Sequence, residues 1–168
     1  MDNPIMFLPA ILMKQQSAAV LRECNDYTVR YGLELSEQEI GRLVENRKEA
    51  LELTGRIEFG GGVIQKIIME FADSGYMNQS DYADNLMELQ ECFYHFKSDA
   101  IEALTDDELI KLMKFYFEEI CHGSVELLKS TMLENHCRDI RYGTKEYQKL
   151  NGYEDDYTDF LDWDEKEN

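Results

Sequence analysis

GGGVIQKIIMEFA, residues 60–72, joins three consecutive glycines to an apolar run that is short of polar positions. Apolar side chains fall on nearly every face of a helix drawn through this run: Val63, Ile64, Ile67, Ile68, Met69, Phe71 and Ala72. A helix that is apolar almost all round is normally buried among other helices. We therefore predict a central helix over about 61–73, with amphipathic helices packed around it.

The glycine triplet permits two interpretations. A phosphate loop needs G-x-x-x-x-G-K-[ST], but here Lys66 follows Gln65, and a dinucleotide loop would need a glycine at Gln65. We interpret Gly60–Gly62 as a joint that lets a buried helix begin close to its neighbour, where a Cβ atom would clash. The alternative is an anion bound by the amides at the start of that helix.

Two helix starts show the same capping pattern, in LSEQEI and in LTDDEL. In the first, Ser36 precedes Glu39 by three residues, and in the second Thr105 precedes Glu108 by the same spacing. This spacing is typical of a capping box. The residues that flank each box, leucine and isoleucine in the first and two leucines in the second, are placed to pack across the first turn of the helix. The two boundaries are the firmest local predictions.

Helical periodicity dominates the rest of the chain, and the longest strand-like pattern is RIEF, residues 56–59. We predict an all-α fold, a compact bundle of about six helices with an acidic C-terminal tail. The domain comprises residues 1–152, and residues 153–168 form an acidic aromatic tail that is disordered or docked. The predicted helices are Ala10–Tyr31, Ser36–Leu53, Gly61–Asp73, Ser80–Ala103, Thr105–Cys121, and a sixth from Ser124 to near Tyr142.

The charge of the chain argues against two classes of partner. Its 168 residues hold 35 acids and 17 bases, a formal net charge of −18. Nucleic-acid affinity comes largely from lysines and arginines that displace counterions, and anionic membranes attract the same residues. We therefore expect neither a nucleic-acid partner nor a membrane partner.

Cysteine usage and the N-terminus indicate a cytoplasmic protein. The four cysteines are far apart and form no C-x-x-C pair. The apolar run Ile5–Met13 contains Pro9, follows Asp2 rather than a basic cluster, and is too short to span a bilayer. Reduced thiols in a cytoplasmic protein are the simplest interpretation.

Every histidine lies within three residues of a cysteine, which raises the alternative of a zinc site. Neighbouring helical residues point about 100° apart, so a Cys-His neighbour pair rarely supplies two ligands. We interpret the cysteines as core thiols and the histidines as surface residues, and we predict no metal and no cofactor. The residues concerned are Cys92 and His95, Cys121 and His122, and His136 and Cys137.

Arg47 falls seven residues after Ile40, inside the apolar stripe of the second predicted helix. One interpretation is an ion-paired arginine whose aliphatic stem packs on apolar neighbours. The other is an arginine aimed at an anionic ligand between helices. No G-x-S-x-G or other nucleophile motif is present, so we predict no catalytic residue.

The C-terminal tail, YEDDYTDFLDWDEKEN, combines eight acids and one lysine with apolar side chains. A purely solvating tail would have few aromatics, so this composition is typical of a segment that docks. We predict that the tail binds a partner, either its own body or a second subunit, near the basic stretch Arg138, Arg141, Lys145 and Lys149. The candidate partner-binding residues are Tyr157, Phe160, Leu161 and Trp163.

The runs GRIEFGGGVIQKIIMEFADSGYMNQSDYADNLMELQECFYHFKSD and LTDDELIKLMKFYFEEICHGSVELL resemble a family of small uncharacterised proteins from Gram-positive anaerobes, a domain of unknown function. The resemblance covers roughly Leu35 to Arg141. It implies a cytoplasmic bacterial protein and carries over no activity, cofactor or site residue.

We interpret the chain as a non-enzymatic interaction or adaptor domain that binds a partner protein or itself, as a homodimer. The aromatic content, ten Tyr, eight Phe and one Trp, favours interfaces. One alternative is a bundle that binds a small molecule or a metal between helices. Another is an enzyme of an unrecognised type.

Deletion of residues 153–168 tests the docking of the tail. We expect the deletion to lower either the melting temperature or the oligomer mass, because a docked segment stabilises whatever it contacts. Thermal unfolding and sedimentation measure the two quantities, and an unchanged value for both would contradict docking.

Overall fold

A computed structural model describes the backbone of residues 4–99 and 104–134 and the side chains of residues 12–97 and 104–131. The helices are α1 Pro4–Thr28, α2 Glu37–Thr54, α3 Gly62–Phe71, α4 Tyr82–Asp99, α5 Asp106–Phe115 and α6 Val125–Glu134. Short 3₁₀ turns follow α1 and precede α4, and a π-helical turn, Tyr116–Ile120, continues α5. No strand occurs in these ranges, so the all-α prediction is confirmed.

The chain divides after Val125 into two units. The first unit holds α1 to α5, which form a helical bundle, and the second contains α6. Within the first unit, α3 packs against α1, α4 and α5, while α2 packs against α1 and α4. The arrangement places α3 at the centre, as its all-round apolar pattern predicts.

The burial of α3 shows why it is central. The side chains of Val63, Ile64, Ile67, Ile68 and Phe71 are at most 1% exposed. Each such side chain contributes about 1.5–3 kcal/mol when it leaves water. The helix is not buried on every side, however, because Met69 is 42% exposed.

Both predicted capping boxes are present. Ser36 Oγ accepts the N–H of Glu39 at 3.2 Å, and Glu39 Oε1 accepts the N–H of Ser36 at 2.9 Å. Thr105 and Glu108 make the same exchange at 3.2 and 3.1 Å. Gly55 ends α2 with φ +70°, the left-handed conformation that favours glycine.

The start of α1 differs from the prediction, because the helix begins at Pro4 rather than at Ala10. Proline is tolerated in the first turn, where its missing N–H would have no partner. Pro9 lies inside the helix and removes one intrahelical hydrogen bond, yet α1 continues past it. None of the described helices, α1 included, combines the length and the apolar character that crossing a bilayer requires.

Removal of the two N-caps tests how much local capping stabilises α2 and α5. We expect Ser36→Ala and Thr105→Ala each to lower the free energy of unfolding by about 1 kcal/mol, because each leaves a helix-terminal N–H without its acceptor. Urea unfolding followed by circular dichroism measures the change. Ser80→Ala, an exposed serine with no capping role, is the control and should change stability by less than about 0.5 kcal/mol.

Candidate binding groove

The connector between α2 and α3, residues 55–61, places a charged side chain inside and apolar side chains outside. Glu58 is 7% exposed, whereas Ile57 and Phe59 on either side of it are 79% and 86% exposed. Burying a carboxylate is unfavourable unless it is paired and hydrogen-bonded, and exposing large apolar side chains forgoes their burial. The conformation of the connector therefore depends on the partners of Glu58.

Glu58 is held by several elements of the bundle. The hydroxyl of Tyr94 on α4 donates to both carboxylate oxygens, at 2.8 and 2.9 Å. The backbone N–H of Val63, in the first turn of α3, donates to Oε1 at 3.2 Å. Arg56 Nη2 lies 3.2 Å from Oε2. A side chain of the connector thus supplies the negative charge that the N-terminus of α3 favours.

Arg47 is the second buried charge of this cluster, with 2% of its surface exposed. Its Nη1 donates to Ser17 Oγ of α1 at 2.5 Å and to the carbonyl of Gly60 at 2.8 Å. Its Nε lies 3.5 Å from Glu58 Oε1. The ion-paired interpretation of Arg47 is therefore confirmed.

Arg56 ties the connector to α4 and α5. Its Nη2 donates to Asp106 Oδ2 at 2.8 Å, and its guanidinium carbon lies 5.6 Å from the ring centroid of Phe93. Asp106 also lies 3.3 Å from Lys97 Nζ. Partial burial alone would raise the pKa of Asp106, but the hydrogen bonds and charges of Arg56 and then Lys97 outweigh it and lower that pKa.

Tyr94 acts only as a hydrogen-bond donor. Burial, followed by the charge and the hydrogen bond of Glu58, raises the pKa of Tyr94 far above its ordinary value. Arg47 and Arg56 offset this only in part. The surroundings of Tyr94 therefore favour the protonated hydroxyl, which donates its hydrogen bond to the carboxylate of Glu58.

The glycine triplet is a joint, as interpreted from the sequence. Gly62 has φ +57°, and a Cβ at this position would collide with Glu58 Oε1 and lie 2.6 Å from Arg47 Nη2. A Cβ on Gly61 would lie 2.7 Å from Val20 Cγ1 of α1. The two glycines let α3 begin directly against α1 and the buried ion pair.

A groove of about 250 Å³ lies next to this cluster, lined by residues of α1, α2 and the connector. One set of lining residues is cationic: Lys14, Arg47, Lys48 and Arg56. A second set is apolar: Met13, Val44, Leu51 and Ile57. The lining is completed by Ser17 and by one acid, Glu52. Four cations and one acid make the lining basic, although the whole chain is strongly acidic.

The four cations of the groove differ in whether they already form an ion pair within the protein. Arg47 and Arg56 are paired within the bundle, and Lys14 Nζ lies 2.7 Å from Glu45 Oε2. The hydrogen bond to Glu45 raises the pKa of Lys14. Lys48 is half-buried, and its charge acts on Glu45 without a close ion pair among the described residues. Lys48 is therefore the cation best placed to meet an incoming carboxylate.

We define the apolar rim as Leu53, Ile57 and Phe59. Leu53, in the last turn of α2, is 88% exposed, and the other two are nearly as open to solvent. Ile57 also lines the groove, so the rim and the groove share a residue. These three exposed apolar side chains lie within residues 53–59, and contiguous exposed apolar surface is typical of interaction sites.

The cysteines and histidines lie as the core-thiol interpretation predicts. Cys92 and Cys121 are buried, while His95 and His122 are exposed. Among described residues, no group of three or more His, Cys, Asp or Glu is arranged to hold a metal ion. Several predicted residues lie outside the described part: His136 and Cys137, the basic stretch near the tail, and the tail residues Tyr157, Phe160, Leu161 and Trp163.

Arg47 could be recognised from the sequence, whereas Glu58, Lys48 and the apolar rim could not. One signal was present: in RIEF, two charged residues alternate with two apolar residues immediately before a helix start. A carboxylate so close to a helix N-terminus is a candidate for capping that terminus. The alternation itself gives no indication of which face is buried.

The chain belongs to a family of unknown function, DUF6323, whose model matches residues 20–146. Membership of a family of unknown function is confirmed, and the match extends beyond both ends of the predicted region, while the origin in Gram-positive anaerobes stays a prediction. No curated protein and no solved structure matches the chain. Within the groove, the residues of α2 and of the connector fall inside the family match, whereas Met13, Lys14 and Ser17 precede it.

Substitution of Gly62 tests how tightly the glycine joint packs against the buried ion pair. We expect Gly62→Ala to lower the free energy of unfolding by about 1–3 kcal/mol more than Gly55→Ala, because both have positive φ but only Gly62 faces the buried ion pair. Gly41→Ala, on an open face of α2, should instead stabilise the protein by about 0.5–1 kcal/mol. Urea unfolding compares the three variants, and equal losses at Gly55 and Gly62 would contradict the role of the ion pair.

Proposed function

We propose that this protein is a non-enzymatic interaction or adaptor domain whose α1–α2 groove binds an acidic, apolar segment of a partner protein. The observation that carries the proposal is the inverted connector, in which Glu58 is buried while Ile57 and Phe59 face solvent beside the groove. A connector that served packing alone would bury the two apolar side chains. Their exposure is accounted for when a partner covers them.

The chemistry of the groove defines the partner segment. Met13, Val44, Leu51 and Ile57 offer apolar contact, and Lys48 offers an ammonium group that has no close ion pair among the described residues. Aromatic or aliphatic side chains of the partner would fill the groove while its carboxylates meet the lysine. The charge of −18 repels an acidic segment from the rest of the surface, so electrostatics favours docking at the groove.

The state of the polar groups supports binding rather than catalysis. Arg47 and Arg56 are fixed by Glu58, Ser17 and Asp106, so their guanidinium groups are held as permanent charges. Tyr94 is a fixed donor. Groups held in this way are suited to orienting a partner. The proposal also places the protein in the cytoplasm of a bacterium, which its spaced cysteines and its resemblance to anaerobe proteins support.

A second candidate is a small organic anion with an apolar body. It is favoured by the concavity of the groove, which approaches in volume the lower end of the range for ligand pockets, about 300 Å³. A carboxylate of such a molecule would meet Lys48, and its apolar part would lie on Val44 and Leu51. Mass spectrometry of a denatured sample of the purified protein would detect such a molecule.

Selection from a library of random peptides displayed on phage tests the proposed function. We expect the immobilised full-length protein to enrich peptides that combine Asp or Glu with aromatic or aliphatic residues, because these match the groove. The double variant Lys48→Glu/Ile57→Ser should weaken binding of the enriched peptides by about tenfold or more, since it reverses one charge and removes one apolar anchor. Binding is measured by fluorescence anisotropy.

The matched control is Val29→Ser/Lys111→Glu. Val29 is an exposed apolar residue and Lys111 a half-buried lysine, and neither lines the groove. This variant should bind the peptides as the unmodified protein does. Equal weakening in both variants, or the absence of any enriched peptide, would argue against the proposed function. A co-purifying anion that is lost only in the groove variant would favour the second candidate.

A further inference from the structure

We propose that the segment bound in the groove is residues 153–168 of a second copy of this chain, so that the protein associates with itself. This inference rests on the proposed function and names its partner. It brings together the acidic aromatic tail of the sequence and the basic groove of the bundle.

Charge complementarity is the first argument. The tail holds eight acids and one lysine, while the lining of the groove holds four cations and one acid. The net charge of −18 disfavours docking of the tail on the acidic parts of the surface. Opposite charges therefore favour the groove as a docking site for the tail.

The apolar side chains match as well. Tyr157, Phe160, Leu161 and Trp163 provide large apolar surfaces that are interleaved with the carboxylates of the tail. The groove and the apolar rim provide the complementary arrangement, apolar walls interleaved with lysine and arginine. Aromatic side chains provide much contact area with few rotatable bonds, so they suit an interface anchor.

The exposure of the apolar rim leaves it open to the tail of a second copy. Leu53, Ile57 and Phe59 are 79–88% exposed, and no described residue of the same chain covers them. Residues 135–152 separate the described part from the tail, and a chain of that length can span up to about 60 Å. Each copy offers one groove and one tail, so two reciprocal contacts would close a symmetric dimer.

The single tryptophan of the chain, Trp163, provides the test, because its fluorescence reports on the tail alone. The full-length protein is titrated over a range of concentrations, and the emission maximum and the quenching by acrylamide are recorded. We expect the emission to shift to shorter wavelength and the quenching to fall as concentration rises. Sedimentation velocity on the same samples should show monomers passing into dimers.

The groove variant Lys48→Glu/Ile57→Ser should raise the concentration for half-association by about tenfold or more. The control Val29→Ser/Lys111→Glu should behave as the unmodified protein does. Circular dichroism and the melting temperature establish that both variants fold. If Trp163 is protected at every concentration, and only when the groove is intact, the bound tail belongs to the same copy. That outcome would overturn the proposal of a second copy.

Failure of this inference can be told apart from failure of the proposed function. If Trp163 stays accessible to acrylamide at every concentration while displayed peptides still bind the groove, self-association is wrong and the groove serves another protein. If the peptides also fail to bind, the proposed function is wrong as well. A dimer that persists in the groove variant with Trp163 still protected would overturn the groove as the docking site.

Discussion

The bundle depends on one buried ion pair, between Glu58 of the connector and Arg47 of α2. Neither charge is stable in an apolar interior by itself, and loss of one partner of such a pair typically costs about 3–5 kcal/mol. The two residues draw their other partners from every neighbouring element: Ser17 of α1, Val63 of α3 and Tyr94 of α4. Arg56 extends the cluster to Asp106 at the start of α5. The five helices of the first unit therefore meet at one set of charges.

This constraint has a consequence for the surface. Because the connector must turn Glu58 inward, the alternation of an extended chain turns Ile57 and Phe59 outward. Because Arg47 fills the space in front of α3, Gly62 can carry no side chain there. The apolar rim and the shape of the groove thus follow from the requirement to satisfy one carboxylate. The stability of the bundle and the proposed binding surface therefore depend on the same residues.

The charge distribution links the site to the rest of the molecule. The whole chain carries a net charge of −18, whereas the lining of the groove holds four cations and one acid, a contrast that favours the proposed acidic partner at the groove. Its family has no function assigned to it, and the match includes the connector and both charges of the buried pair. The proposed role therefore comes from the chemistry of the groove.

The sequence by itself determined the features that depend on near neighbours. Ser36 and Thr105 cap their helices through residues three positions away, and the periodicity of α3 alone shows that it is central. Only the tertiary structure decided that Glu58 and Arg47 are buried and which groups they contact. Glu58 accepts a hydrogen bond from Tyr94, 36 residues away in the sequence, and Arg47 donates one to Ser17, 30 residues away. A carboxylate in a local pattern is equally suited to water or to a buried arginine. The choice depends on which distant side chains packing brings within hydrogen-bond distance.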